Sequence, residues 1–232
     1  LKEFGNIYSR LGNPTVGALE ARLTALEDGA MSVALSSGTS AVMYSLINIM
    51  SQGDNFVTAN QLYGGTYTMF DNILPEYGID SKKVDITDLT AVENAIDEKT
   101  RAIYCETITN PGLVVADISA LGEIAKSKGI PLIVDATFTT SAICKPFDFG
   151  ADIVVYSLTK WMSGHGRVIA GAVIEKGGFD WGNGNFPLYD KPDTSYGGMR
   201  WGHDLGDLSN VAYSLRLRTV PLRNLGASMS PE

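Results

Sequence analysis

One lysine, Lys160, closes the segment Ile153-Val154-Val155-Tyr156-Ser157-Leu158-Thr159-Lys160, where an apolar run passes directly into hydroxyl residues and an amine. An amine just after a buried strand loses hydration. Its pKa then falls, and the free base can condense with a carbonyl to give an imine. A surface lysine opening a loop accounts for the spacing equally well. Asp135 stands in the same relation to Leu132-Ile133-Val134. A carboxylate there serves as a helix cap or ion-pair partner, or it faces a pyridine nitrogen and keeps it protonated so that the ring accepts electrons. Ser36-Ser37-Gly38-Thr39 follows another apolar run and precedes a helical pattern. Small residues at such a junction let helix-start amides reach a phosphate, although plain turn chemistry uses the same types. Ser157 and Thr159 add hydroxyls from a further strand end, and Glu106 a second carboxylate. Tyr63, ahead of Gly64-Gly65, can stack on a flat ligand or pack beneath a turn.

Other chemistries lack their residues. His165 and His203 each sit beside glycine without zinc-ligand spacing, so no metal is expected. There is no G-x-S-x-G elbow and no Walker sequence, and no G-x-G-x-x-G follows a strand pattern.

The elements that must position these groups alternate. Strands are expected at Ser32–Leu35, Asn55–Ala59, Ala102–Glu106, Leu132–Asp135, Ile153–Tyr156 and Ile169–Ile174. Most are continuous apolar runs, as in strands covered on both faces. Helices are expected at Gly17–Glu27, Thr39–Met50, Thr66–Leu74, Leu89–Ile96, Ser119–Lys128 and Asp207–Arg218. Thr15 or Gly17 is expected to open the first, and Asp117 to cap the fifth. The order predicts an α/β fold with a mostly parallel sheet, helices on both faces, and a long Gly- and aromatic-rich loop from Gly177 to Gly202. In open sheets of this kind ligands gather at strand carboxyl ends, which is where the residues above fall.

A formal net charge of −8 disfavours a non-specific grip on nucleic acid. No apolar run approaches the ~18–20 residues that span a bilayer, and no signal peptide opens the chain. Cys105 and Cys144, both in apolar stretches of strand character, suggest no disulfide framework, and a cytoplasmic location is expected. The absence of an initiator methionine and of a closing pattern after Leu225 reads as a fragment of a longer polypeptide.

Ser157-Leu158-Thr159-Lys160-Trp161-Met162-Ser163-Gly164-His165-Gly166 resembles the lysine motif of the Cys/Met-metabolism family of fold-type I pyridoxal-phosphate (PLP) enzymes. Further segments resemble that family in its order. They are Tyr8-Ser9-Arg10 with Asn13-Pro14-Thr15, Ser37-Gly38, Leu62-Tyr63-Gly64-Gly65-Thr66, Glu106-Thr107 with Asn110-Pro111, and Val134-Asp135. Phe179-Asp180-Trp181, Asn183-Gly184, Phe186-Pro187, Ser195-Tyr196 and Arg223-Asn224-Leu225-Gly226-Ala227 are most similar to the O-acetylhomoserine sulfhydrylase branch.

The resemblance implies an aspartate-aminotransferase-like large domain at 17–222. It implies an arm at 1–16 that contacts a neighbouring subunit, and the start of a C-terminal domain at 223–232. Lys160 would hold pyridoxal 5'-phosphate as a Schiff base, and Asp135 would pair with its ring nitrogen. Tyr63 would stack on the ring and act as an acid toward the leaving group. Ser37, Gly38, Ser157 and Thr159 would hold the phosphate, with Thr39 adding a backbone amide. Asn110 would lie near the phenolic oxygen with Glu106 behind it. Tyr8 and Arg10 would reach a neighbouring subunit's phosphate, so that a homodimer or homotetramer shares its active sites. The implied activity is γ-replacement on O-acetyl-L-homoserine by sulfide or a thiol, a step of trans-sulfuration and methionine biosynthesis. It gives homocysteine or methionine and acetate. A γ-lyase of the methionine or cystathionine type and a non-catalytic module are the alternatives. Ala136, Ser141, Tyr156 and Met162-Ser163 depart from the family's usual residues.

Overall fold

The computed structural model describes residues 5–232. Seven strands form one sheet: β1 (Met31–Leu35), β2 (Asn55–Ala59), β3 (Asp80–Val84), β4 (Thr100–Glu106), β5 (Leu132–Asp135), β6 (Ile153–Ser157) and β7 (Gly171–Glu175). Their spatial order is β1-β7-β6-β5-β4-β2-β3. The β3/β2, β2/β4, β4/β5 and β5/β6 pairs are parallel. Strand β7 runs antiparallel to both β6 and β1. Every residue of β2, β4 and β7 is buried. Since successive side chains point to opposite faces, both faces of the sheet are covered, as the unbroken apolar runs predict.

Helix α1 (Pro14–Glu27) precedes β1, and α2 (Gly38–Ile47), α3 (Gly64–Thr68), α4 (Leu89–Ala95) and α5 (Ile118–Ser127) connect the strands from β1 to β5. Asn13, rather than Thr15 or Gly17, opens α1. Its Oδ1 accepts from the Thr15 amide at 2.9 Å, and Pro14 takes the first position, where a missing N–H costs nothing. Asp117 caps α5 as expected, accepting from the Ala120 amide at 3.0 Å.

Other expectations shift or fail for local reasons. Thr66–Leu74 is not one helix: α3 starts two residues earlier, then widens to a π turn at Met69–Ile73 and tightens to a 3-10 turn at Leu74–Tyr77. Helix 207–218 likewise divides into a 3-10 turn at Gly206–Val211 and an α segment at Ala212–Leu217. Strand β3, Asp-Ser-Lys-Lys-Val, went unpredicted because an edge strand exposes one side and carries polar residues. Strand β7 begins at Gly171, not Ile169, which is exposed. Cys144 ends a short helix rather than lying in a strand, and both cysteines are free thiols.

The 177–202 stretch is a packed satellite of the core. Trp181 stacks on Tyr189 at 5.0 Å and on Tyr213 at 5.1 Å, with Phe186 edge-on. Residues 226–228 return to the sheet: the Ser36 amide donates to Ala227 O at 2.7 Å, and Leu35 bridges to Ser228. Among the described residues no helix is long and apolar enough to cross a membrane.

Candidate active site

The parallel strands all end at one edge of the sheet, and β7 starts there. Register places Glu106 beside Asp135, and Ser157 beside Gly171, which is also opposite Leu35. A cavity of about 1020 Å³ opens at that edge. Lys160, Asp135, Tyr63, Ser37, Gly38, Thr39, Ser157, Thr159, Asn110 and Glu106 all line it, having come from α2, α3, β4, β5 and β6. Tyr8 and Arg10 do not. They lie outside the cavity of their own chain, the Arg10 guanidinium 5.1 Å from the Tyr8 ring.

The close meeting of β1, α2, β6 and β7 requires glycine at two points. A Cβ on Gly38 would come within 2.5 Å of Ser157 Cβ, and one on Gly171 within 2.1 Å of Ser37 O. The ten-residue α2 therefore points its first turn at the ends of β6 and β7. Ser37 caps it, accepting from the Ser40 amide at 3.0 Å. The first amides of a helix lack intrahelical partners, so those of Gly38 and Thr39 remain for an anion in the cavity.

Asp135 is partly exposed, and the cavity is where it emerges. Its Oδ1 accepts from the Thr137 amide at 2.9 Å, and Tyr104 Oη donates to Oδ2 at 3.3 Å. Burial pushes its pKa above the ordinary carboxylate value, against these hydrogen bonds. No cation forms an ion pair with it among the described residues. Tyr104 is fully buried, and desolvation with the adjacent Asp135 charge keeps its hydroxyl protonated as a donor. Thr137 also accepts the Ser157 amide through Oγ1 at 2.7 Å, tying β6 to the residue after Asp135. Neither Tyr104 nor Thr137 was expected among the site residues. Tyr104, two residues before Glu106 on β4, reads in sequence as one more core aromatic.

Glu106 is buried. Its Oε1 accepts from the Tyr63 amide at 2.7 Å and its Oε2 from the Asn110 amide at 2.9 Å, while burial pushes its pKa up to about 7. Lys160, by contrast, is exposed. It lies beyond the end of β6 in a turn closed by its own amide on Ser157 O at 3.2 Å, which carries it past the covered edge. The desolvation expected of this amine is not supplied by the present chain. Thr159 Oγ1 donates to Ala170 O and accepts from the Ala170 amide, both at 3.1 Å, which closes the loop that carries Lys160. Ala136 is fully buried and does not line the cavity.

A mostly parallel sheet with an amine, a desolvated carboxylate, a helix start and an aromatic around one edge cavity is the large-domain arrangement of fold-type I PLP enzymes. The chain belongs to the Cys/Met metabolism PLP-dependent enzyme family, whose model matches residues 1–232. It is 44% identical to an O-acetyl-L-homoserine sulfhydrylase of Leptospira meyeri and 43% identical to a homocysteine synthase of Schizosaccharomyces pombe. Each match takes in 100% of this chain but 53% and 54% of those proteins, so the chain spans about half the length of these curated relatives. A solved structure assigned as an O-acetylhomoserine (thiol)-lyase of Campylobacter jejuni superposes with a TM-score of 0.94 at 40% identity. That superposition covers 100% of this chain and 57% of the other, which carries a pyridoxyl-lysine 5'-monophosphate. An O-acetylhomoserine sulfhydrylase of Wolinella succinogenes gives a TM-score of 0.81 at 35% identity, over 96% and 61% of the two chains.

Proposed function

We propose that this chain is the cofactor-carrying part of an enzyme that replaces the γ-substituent of O-acetyl-L-homoserine with sulfide or a thiol. The products would be acetate and homocysteine or methionine. The observation that carries the reading is the convergence of Lys160, Asp135 and Tyr63 on one cavity from three separate elements. The names of the relatives favour the sulfhydrylase branch.

Lys160 would hold the PLP aldehyde and Asp135 the ring nitrogen. Gly38 and Thr39 would offer amides, and Ser37, Ser157 and Thr159 hydroxyls, to the phosphate. Asn110 would lie at the phenolic oxygen. The fit rests on the helix start that Gly38 lets into contact with β6, and on a desolvated carboxylate with no cation of its own. When bound, PLP supplies an electron sink that acidifies protons on the substrate carbons. The Lys160 amine would take the proton at the substrate Cα and return it at the end of the cycle. The Asp135 carboxylate holds a proton at the ring nitrogen throughout. The Tyr63 hydroxyl donates a proton to the departing acetate oxygen and takes one from the incoming thiol.

The division into an arm at 1–16, a large domain at 17–222 and a following domain from 223 belongs to the same proposal. So does the sharing of active sites in a homodimer or homotetramer, in which Tyr8 and Arg10 serve a neighbour. Trp161 at 66% exposure and Ile169 at 75% form an apolar rim on the cavity that a second subunit or a further domain would cover.

The test is an absorbance spectrum of the full-length protein with PLP, followed by borohydride reduction and peptide mapping. A visible band and an adduct on Lys160 are expected, both lost in Lys160→Ala with a fall in turnover of about 10³-fold or more. O-acetyl-L-homoserine with sulfide should then yield homocysteine. Ammonia and a 2-oxo acid, formed whether or not sulfide is present, would mark a γ-lyase instead.

A further inference from the structure

We infer that Glu106 is a positioning residue that joins Tyr63 and Asn110 into one rigid wall of the cavity; this rests on the PLP reading above. The two residues come from loops 43 and 4 positions away from Glu106 in sequence, and each presents its backbone amide to a different oxygen of the same carboxylate. A single buried side chain thus sets the height of the aromatic ring and of the amide side chain together. An uncharged or shorter group could accept at most one of the two donors well, and the other would lose its charged acceptor.

The loops also meet without Glu106. A Cβ on Gly112 would overlap Gln61 Oε1 at 1.5 Å, so the Asn110-Pro111-Gly112 turn lies directly against the residue two before Tyr63. A Cβ on Gly65 would come within 2.7 Å of Tyr63 Cε1, so the ring rests over the first turn of α3 where no side chain intervenes. Thr109 then closes the second loop, its Oγ1 accepting from the Val114 amide at 3.0 Å and its carbonyl from the Leu113 amide at 2.8 Å. Tyr63 is therefore held at its amide by Glu106 and beneath its ring by Gly65. Asn110 is held at its amide by the same carboxylate. The backbones that carry ring and amide are thereby tied to one carboxylate.

Glu106 itself is 6% exposed, so its carboxylate is held largely out of bulk water and its bonds to the two amides are not diluted by solvent. Its neighbour in register is Asp135, the carboxylate assigned to the ring nitrogen.

The experiment compares wild type, Glu106→Gln and Glu106→Ala in the full-length protein loaded with PLP, read by visible-region circular dichroism without substrate and then by steady-state kinetics. The induced dichroic band reports how the bound ring sits in its asymmetric wall. We expect it to fall at least about twofold in Glu106→Ala and by an intermediate amount in Glu106→Gln. Turnover should drop between about tenfold and a hundredfold with KM little changed, as for a displaced reacting group. Adding Glu106→Gln to Tyr63→Phe should cost less than the product of the two single losses, because part of the first acts through the Tyr63 hydroxyl. An unchanged band with only a lowered Tm, or losses that multiply in the double variant, would overturn the inference. A wild type with no band at all would sink the PLP reading instead. Glu106→Gln keeps the shape of the side chain and serves if Glu106→Ala does not fold.

Discussion

The sheet buries carboxylates at both of its edges, and the two sets do different work. At the edge where β4 and β5 end, Asp135 and Glu106 line a cavity. At the opposite edge β7, running the other way, ends in Glu175, which lies level with Met31 and Ile153 at the beginnings of β1 and β6. Burial pushes Glu175 up to about 7, as it does Glu106. Glu175, however, lies outside that cavity and is almost fully buried. Its oxygens accept from the Ser214 amide at 2.8 Å, the Tyr213 amide at 3.3 Å and Trp181 Nε1 at 3.2 Å, which anchors the 177–202 satellite and the following helix. A raised pKa is thus no mark of function by itself. Unused acceptor capacity beside open space distinguishes Asp135 from a carboxylate saturated inside a fold.

The sharpest break between the edges is Asp135→Ala against Glu175→Ala. The first should lower turnover about 10²–10³-fold, the scale of removing one preorganised electrostatic partner, with little change in Tm. The second should leave the PLP spectrum intact while costing about 3 kcal/mol of stability by denaturant unfolding, since three buried donors lose their acceptor. If Glu175→Ala bleaches the cofactor band, the two edges are coupled and the contrast fails.

A smaller effect is expected at the cavity edge itself, where β7 begins. Gly171→Ala places a methyl against Ser37 O and should cost about 2 kcal/mol, with weaker retention of PLP on dialysis because the α2 start must move.

The smallest effect per unit of the variable changed is in pH dependence. The pKa values of Glu106 and Glu175 rise to about 7 on folding and that of Asp152 to about 6, all by burial. The folded state therefore holds protons that the unfolded state has lost between the ordinary carboxylate values and these. The stability such groups contribute is complete below about pH 4 and is lost as pH rises through 6 to 7. For each group the slope in that window is at most about 1.4 kcal/mol per pH unit. Denaturant midpoints taken from pH 5 to 7 should fall more steeply in wild type than in Glu175→Gln, and equal slopes would remove Glu175 from the account.

Much of the cavity edge was legible because it is built from strand ends. Apolar runs that stop at Asp135, Glu106 and Ser157 can be read in one dimension, and so can the small residues opening α2. The opposite edge could not be read that way. Glu175 ends an apolar run just as Glu106 does, yet only the antiparallel course of β7 sends it to the other side of the sheet. Tyr104 is also silent in sequence, since its hydroxyl meets Asp135 across a strand pair.

Residue type and local pattern determined which groups this protein has for chemistry: a lysine after a strand, carboxylates at strand ends, a glycine-rich helix start. Those properties depend on neighbours within a few positions along the chain. Tertiary structure decided which of them share a space, which carboxylate is left with room for a ligand, and that Lys160 stands clear of the core. These depend on strand direction and on contacts between residues far apart in sequence, where burial and hydrogen-bond saturation are set.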